Sequence, residues 1–197
     1  MARLLLSLPP AQRSRGSLEQ ALDQRRSCRR FSPSPLSAEE IGQLLWAAQG
    51  MNRHGTRTSP SAGARYPLEI YAVLPEGVGH YDPTRHLLRE HKPGDCRPML
   101  SQAALAQEFV LQAPQTVVIC AVYERVAARY GEERGARYVI LEAGHAAQNI
   151  LLQATALGLG AVPVGAFDDG EVRRLLDLPD DHAPLYLLTV GRPEAST

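Results

Sequence analysis

The chain has 197 residues, of which 44% are hydrophobic, and its 21 lysines and arginines are balanced by 21 aspartates and glutamates. This length and composition fit one ordinary globular domain and argue against a disordered chain. A nucleic-acid-binding protein usually carries a basic excess, which is missing here. No apolar stretch approaches the roughly 18 residues of a membrane span, so we expect neither nucleic acid nor a membrane as a partner.

The cysteines and the start of the chain indicate where the protein works. Cys28, Cys96 and Cys120 are odd in number and widely spaced, which argues against a disulfide framework and against a Cys-X-X-Cys metal site. The apolar run near residue 5 is too short for a secretory signal, and no small-residue cleavage site follows it. We therefore expect a cytoplasmic protein.

The first fifty residues predict an extended arm followed by two helices. Residues 1–16 contain two consecutive prolines and a polar stretch, which are typical of an extended arm. The spacings Ser17–Gln20 and Ser37–Glu40 match the capping box, in which a serine and a Gln or Glu three residues later satisfy the first backbone N–H groups of a helix. They predict one helix from residue 17 to about 26 and another from 38 to about 50.

The middle of the chain predicts a loop and several strands. Residues 51–67 are rich in Gly, Ser, Thr, Arg and Pro and indicate a long loop, which is often functional inside a compact domain. Residues 68–74 have the β-branched and aromatic content of a partly buried strand. Residues 77–91 predict a β-meander, and 99–110 predict short helical pieces.

The second half predicts a buried strand and a long helix. Residues 116–123 are almost all apolar, as in a strand buried on both faces. Residues 135–157 predict a helix that is apolar nearly all round, so it is central or lies in a subunit interface. A strand at 161–164, a helix at 169–176 and a strand at 185–190 complete the chain. Because strands and helices do not alternate regularly, the predicted class is α+β.

Two motifs with a possible cofactor or metal role are rejected. The sequence 158–163 begins like a dinucleotide-binding glycine motif, but it ends in Pro163 and follows a helix where that motif follows a strand. Glu142 and His145 have the spacing of a di-metal ligand pair, which requires a second copy that the chain lacks. We expect no metal site and interpret His145 as a core or capping residue.

The only dense basic cluster, Arg25-Arg26-Ser27-Cys28-Arg29-Arg30, allows two interpretations. Arginines at the end of a helix complement its negative dipole and can simply be solvated. Arginines also supply forked donors to phosphate oxygens and to the edge of a planar ring. Taken alone, the cluster favours the solvated helix end over the anion clamp.

Two small-residue segments are open to the same pair of interpretations. Ser59–Pro67 and Val162–Ala166 contain few large side chains, so their backbones could approach a ring or a phosphate closely. The first could equally be a flexible connector, and the second could be ordinary core.

Four segments taken in order resemble the nitroreductase family of flavoproteins. Arg25–Phe31 resembles the opening motif of that family, Ser59–Pro67 its second flavin segment and Gly158–Ala166 its third, while Val190–Pro193 resembles the C-terminal phosphate segment. The match covers residues 17–193, which we expect to form one FMN-binding domain. The resemblance implies an α+β sandwich, with a central and mainly antiparallel sheet flanked by helices, in an intertwined homodimer with FMN at the subunit interface.

The resemblance also implies a role for individual residues. Those that would hold the phosphate, the ribityl chain and the pyrimidine edge of FMN are Arg25, Arg26, Ser27 and Arg29, with Arg192 as a further phosphate contact. Those that would lie along the ring, with a backbone N–H near flavin N5, are Pro163, Val164, Gly165 and Ala166. Those that would come from the partner chain are Pro60, Ser61, Ala62 and Gly63.

Within the family, Pro60–Pro67 and Glu142–Asn149 resemble the SagB-type branch, which includes azoline dehydrogenases that oxidise peptide thiazolines and oxazolines. Those enzymes carry a Lys-Tyr pair where this chain has Arg129-Tyr130. An arginine stays charged at any working pH and cannot act as the general base that a lysine can become. Tyr130 could still carry a proton, and the pair could equally be ordinary surface residues at a helix start.

The sequence thus predicts an FMN-dependent oxidoreductase that passes hydride from NADH or NADPH to an organic acceptor by a ping-pong mechanism. The substrate would be a small molecule or a peptide-derived compound. Alternatives are an azoline dehydrogenase, a flavin-binding module without turnover, and a nucleic-acid-binding domain that uses the arginine cluster.

Overall fold

The computed structural model describes residues 4–12 and 16–194. The strands in this part of the chain are β1 (Leu4–Ser7), β2 (Leu68–Leu74), β3 (Gly77–Asp82), β4 (Leu87–Pro93), β5 (Gln115–Ala121), β6 (Gly160–Val164) and β7 (Ala183–Gly191). The helices are α1 (Leu18–Gln24), α2 (Ala38–Gln49), α3 (Arg97–Ala103), α4 (Glu108–Gln112), α5 (Glu124–Tyr130), α6 (Glu132–Ala156) and α7 (Asp169–Leu175). A short 3₁₀ turn covers Ala62–Ala64.

The strands form one seven-stranded sheet in the order β1-β4-β3-β2-β5-β7-β6. Each strand pairing between these neighbours is antiparallel. Helices α2 and α6 pack on one face of the sheet, and α3 and α7 pack on the other. The predicted α+β sandwich is therefore confirmed. Strand β5 is buried along its whole length, as its unbroken apolar sequence predicts.

Both predicted capping boxes are present. The Ser17 hydroxyl accepts from the Gln20 N–H at 3.2 Å, and the Ser37 N–H donates to the Glu40 carboxylate at 2.8 Å. Helix α1 ends at Gln24, two residues before the predicted end, whereas α2 ends at Gln49 as predicted.

Two segments differ from their predicted structure. Part of the predicted N-terminal arm is strand β1, which adds to the sheet by pairing with β4. The long helix starts at Glu132, and the separate helix α5 precedes it. Gly131 breaks the two helices apart with φ +77°, a left-handed conformation that favours glycine. Helix α5 was not predicted, because its seven residues are too few to show a clear helical period.

Helix α6 carries apolar residues on two sides, but only one side is covered within the chain. Val139, Ala146 and Ile150 are buried against the sheet. On the outer side, Ile140 and Leu141 are 53% and 54% exposed. Among the described residues, no helix combines the length and the apolar character needed to cross a bilayer.

Candidate active site

The structure joins three of the four predicted flavin segments through their backbones. The Cys28 N–H donates to the Ala161 carbonyl of β6 at 3.0 Å, and Ser27 forms a parallel bridge with Ala161. The Ser32 N–H donates to the Arg192 carbonyl at 2.9 Å, directly after β7. Residues 25–32, which we call the arginine segment, therefore lie across the ends of β6 and β7, although more than 130 residues separate the paired positions in the sequence.

Two glycines make this close approach possible. A Cβ atom at Gly160 would stand 2.7 Å from the Cys28 side chain. A Cβ atom at Gly191, the β7 partner of Gly160, would stand 2.7 Å from Pro114 and 2.9 Å from Phe31. Since real Cβ atoms do not pack this closely, the residue type at both positions determines how these strands meet the arginine segment.

The arginine side chains differ in how they are engaged. Arg26 and Arg29 are exposed and Arg25 is half-buried, and in residues 4–12 and 16–194 no carboxylate forms an ion pair with any of them. Arg29 lies over the Phe109 ring, 5.8 Å from its centroid. Arg192, in contrast, donates to both Glu40 carboxylate oxygens at 2.8 and 3.0 Å. The predicted phosphate contact of Arg192 thus has a carboxylate competitor.

The end of β6 and the two residues after it lead to an open stretch of backbone. Val164 is buried, Pro163 is half-buried, and Gly165 and Ala166 are exposed. A Cβ atom at Gly165 would meet only Tyr186, at 3.9 Å. The Ala166 carbonyl accepts from the Gln107 side-chain amide at 3.1 Å, which ties the α3–α4 connection to this segment. A planar group could therefore lie against the chain at Gly165 without steric conflict.

The remaining predicted segment, Ser59–Pro67, lies in a different place, against α2, α5 and α6. The Ser59 hydroxyl donates to the Ala48 carbonyl at 2.8 Å and accepts from the Asn149 amide at 3.2 Å. The Ser61 hydroxyl accepts from the Tyr66 N–H at 2.8 Å. Gly63 has φ +58°, which its lack of a side chain permits.

The predicted catalytic pair, Arg129 and Tyr130, lies beside the Ser59–Pro67 segment. A Cβ atom at Gly63 would stand 2.6 Å from the Tyr130 hydroxyl and 3.6 Å from Arg129. The Arg129 guanidinium lies 5.5 Å from the centre of the Tyr130 ring, and Tyr138 meets the same ring edge-on at 5.1 Å. The pair ends α5, so its predicted place at a helix start is wrong.

Glu142 is the site residue whose importance the sequence analysis missed. Its side chain is 2% exposed, and burial raises its pKa to about 7, against weaker opposing effects from hydrogen bonds with Ser61 and Gln49. The Gln49 amide donates to it at 3.3 Å. A glutamate in register with Val139 and Ala146 on the apolar stripe of α6 was the available signal. His145 is exposed, so the interpretation as a core residue is wrong.

The two parts of the site contact different stretches of α6. Ser59 and Ser61 contact Asn149 and Glu142 along the middle of the helix, whereas β6 begins just beyond Leu157, where the helix is capped. At a rise of about 1.5 Å per residue, the axial distance from Glu142 to Leu157 is roughly 22 Å. The Ser59–Pro67 segment therefore makes its helix contacts at another level than the junction of the arginine segment with β6.

Comparison with known proteins identifies the family. Residues 22–192 match the model of the Nitroreductase family. A protein of Methanocaldococcus jannaschii, provisionally named a nitroreductase, is 46% identical over 182 residues, covering 89% of this chain and 90% of that protein. The FMN reductase (NADPH) of Bacillus subtilis is 28% identical over 181 residues, covering 85% of this chain and 62% of that enzyme.

A solved structure shows the same fold over the whole chain. The crystal structure of a protein of Ralstonia eutropha, also provisionally named a nitroreductase, superposes with a TM-score of 0.86 and 30% identity, covering 100% of this chain and 96% of that one. The family match spans nearly the complete domain, and the convergent segments are those by which the sequence resembles the family. This chain belongs to the nitroreductase family.

Proposed function

We propose that the protein is an FMN-dependent oxidoreductase that passes hydride from NADH or NADPH to an organic acceptor by a ping-pong mechanism, as a homodimer. The observation that carries the proposal is the convergence of the arginine segment, β6 and the end of β7. The family includes flavin oxidoreductases that use reduced nicotinamide, such as the B. subtilis FMN reductase. FMN and the nicotinamide come to this chain by that relationship.

The residues present fit a phosphorylated planar ring. Arg25, Arg26 and Arg29 form a group of cations without carboxylate partners among the described residues, which suits a doubly charged phosphate and the polar edge of the ring. Gly165 offers the ring an open stretch of backbone. Arg192 would bind phosphate by exchanging one anionic partner, Glu40, for another.

The protein's part in the reaction is to bind, orient and polarise. When bound, FMN supplies the hydride-carrying ring, and the chain supplies its position and its electrostatic surroundings. The cations of the arginine segment would stabilise negative charge at the pyrimidine edge of the ring. If the ring lies on the exposed backbone at Gly165 and Ala166, its other face is open to the donor and the acceptor in turn. We therefore expect ping-pong kinetics.

A homodimer would complete the site. Leu18 and Leu22 of α1 are 61% and 53% exposed, and Ile140 and Leu141 of α6 are similarly uncovered. Burial of large apolar side chains is the main driving force for association. A second copy covering these helices could bring its own Pro60, Ser61, Ala62 and Gly63 to the arginine segment, whereas within one chain this loop is anchored on α2 and α6.

The experiment that tests the proposal is a visible spectrum followed by flavin titration. We expect purified protein to show the absorption of oxidised flavin, to release it on denaturation, and to oxidise NADH or NADPH with parallel double-reciprocal plots. Loss of a charge-assisted hydrogen bond in Arg29→Ala should weaken FMN binding by about 1.5–3 kcal/mol, or about 10-fold to 150-fold. Arg85→Ala, at an exposed turn, is the matched control. A colourless protein with no affinity for FMN would overturn the proposal.

The position of Tyr130 favours a second candidate, an azoline dehydrogenase of the SagB type. Its hydroxyl lies against Gly63, at the segment expected to meet the partner's flavin. Tyr130 could hold or move a proton there, while Arg129 stays charged and cannot act as a base. Conversion of a thiazoline-containing peptide to the thiazole, lost in Tyr130→Phe, would favour this candidate. Flavin binding without oxidation of either substrate class would instead indicate a binding module without turnover.

A further inference from the structure

Three buried polar side chains converge on one loop. Gln49, Ser59 and Glu142 are each at most 2% exposed. They lie between α2 and α6, beside the buried apolar residues of both helices. Burying a polar group is unfavourable unless it is hydrogen-bonded, so such a group indicates a structural or functional requirement at this place. All three groups contribute, directly or through one partner, to holding residues 59–66.

The contacts form two anchors for that loop. At the first anchor, Ser59 is fixed between the Ala48 carbonyl of α2 and the Asn149 amide of α6. At the second, Ser61 is hydrogen-bonded to Glu142, and its hydroxyl also accepts from the Tyr66 N–H at 2.8 Å. The second anchor therefore links the buried carboxyl group directly to the backbone of the loop. Gly63, which lies against the end of α5, stands between Ser61 and Tyr66 in the loop.

The carboxyl group of Glu142 has neutral partners. Its described hydrogen bonds go to the Ser61 hydroxyl and the Gln49 amide, and within residues 4–12 and 16–194 it forms no ion pair. Titratable or charged side chains on the helices and the loop packed around it, which are α2, α5, α6 and residues 51–67, are Glu39, Glu40, Arg53, His54, Arg57, Arg65, Tyr66, Glu124, Arg125, Arg129, Tyr130, Glu132, Glu133, Arg134, Arg137, Tyr138 and His145. None of them is among the groups that shift the pKa of Glu142, which burial raises to about 7. An ionised carboxylate at this place would be both desolvated and unpaired.

We propose that Glu142 is a positioning residue, whose buried carboxyl group holds the 59–66 loop through Ser61 and so presents that loop to the flavin of the partner subunit. The inference rests on the proposed function for the flavin contact, but the anchoring of the loop is a property of the single chain. Ionisation of the carboxyl group favours an open loop, in which the carboxylate reaches water. The loop is therefore expected to loosen as the pH rises through neutrality.

Amide hydrogen exchange of the protein without added FMN tests the anchor directly. The reporter is the Tyr66 N–H, which is bonded to Ser61, with its protection corrected for intrinsic exchange at each pH. If the carboxyl group has a pKa of about 7 in the closed loop and its ordinary value of 4.5 in the open one, protection should fall about tenfold between pH 6 and pH 8. Glu142→Gln keeps a neutral hydrogen-bonding side chain, so in this variant the protection of the Tyr66 N–H should change less than twofold between pH 6 and pH 8.

Two further variants separate positioning from general damage to the fold. Ser61→Ala removes the link to the backbone and should lower Tyr66 protection at both pH values. Glu133→Gln makes the same chemical change at an exposed position of α6, and its Tyr66 protection should depend on pH as in the wild type. If Glu142→Gln followed that wild-type course, or if Ser61→Ala left Tyr66 fully protected, the positioning role would be wrong.

FMN titration then separates the two proposals. In the wild type, FMN affinity should fall from pH 6 to pH 8 by the same factor as the closed fraction of the loop that hydrogen exchange gives, which is at most about tenfold, and Glu142→Gln should lack this fall. Equal pH dependence in the two proteins, with FMN bound by both and a measured fall in the closed fraction, would overturn the role of Glu142 in presenting the loop and leave the proposed function standing. No FMN binding by the wild type at either pH would overturn the proposed function, while hydrogen exchange would still decide whether Glu142 anchors the loop.

Discussion

The two parts of the candidate active site are held together in opposite ways. At the arginine segment, backbone groups of residues 27 and 28 bond to β6, and the side chains of Arg25, Arg26 and Arg29 form no ion pair among the described residues. At the 59–66 loop, side chains make the contacts, namely those of Gln49, Ser59 and Glu142, which are buried, and that of Ser61, which is half-buried. The first part therefore has side chains that are free to bind a ligand, whereas in the second part the side chains are needed for the local structure.

This difference predicts how each part responds to substitution. Where the backbone carries the structure, a changed side chain should alter ligand binding and leave the free energy of unfolding nearly unchanged. Where buried polar side chains carry it, binding and stability should change together and should depend on pH. The variants below test that contrast in order of the expected size of the effect.

The largest effect is expected from Glu142→Gln. Burial raises the folded-state pKa of Glu142 from 4.5 to about 7, so the unfolded chain releases this proton first as the pH rises. The stability contributed by the neutral group is complete below pH 4.5 and is lost as the pH passes through 7. At pH 8 the variant should be more stable than the wild type by about 3 kcal/mol, relative to any difference at pH 4.5. Urea denaturation at both pH values measures this, and a constant difference would contradict the cause given for the shift.

A pair of glycine substitutions comes next. Gly160→Ala places a Cβ atom 2.7 Å from Cys28, which forces the arginine segment away from β6, and such overpacking costs about 1–3 kcal/mol. Gly165→Ala meets only Tyr186 at 3.9 Å, so it should leave thermal stability unchanged. It should nevertheless weaken FMN binding if the ring lies on this backbone. Thermal unfolding and flavin titration of both variants separate the two effects, and equal stability losses would contradict the comparison.

The smallest effect is expected from Glu40→Gln. A glutamine keeps the capping box with Ser37 and removes the ion pair with Arg192. Because Arg192 is about half exposed, the loss of stability should stay below about 1 kcal/mol. Freed from its competitor, Arg192 should bind phosphate better, and FMN affinity should rise by about twofold to fivefold. Riboflavin, which lacks the phosphate, is the control ligand and should bind both proteins equally.

Local patterns predicted much of the fold because they encode local hydrogen bonds. The serine–Glu/Gln spacings placed the starts of α1 and α2, and the unbroken apolar run placed β5. Helix α5 was missed because its residues follow no clear periodicity, although Gly131 marks its end. The strand at the start of the chain was missed because its partner, β4, lies more than 80 residues away.

The candidate site was predictable only as a set of segments. The order of the four motifs along the chain was enough to recognise the family and to name the arginines at 25, 26 and 29. It could not show that Arg192 is already paired with Glu40, since 152 residues separate the two. Glu142 was considered only as a metal ligand, which was rejected, and its burial was not predicted, because that burial depends on how α2, α6 and the 59–66 loop pack together.

The sequence by itself determined the fold class, the starts of α1 and α2 and the family, because periodicity, capping residues and turn residues act over a few neighbouring positions. The tertiary structure decided which distant segments meet: the arginine segment with β6 and β7, and the loop with Glu142. The physical reason is that these meetings depend on the strand order of the sheet and on the burial of a polar group between helices. Both are properties of the packed chain as a whole.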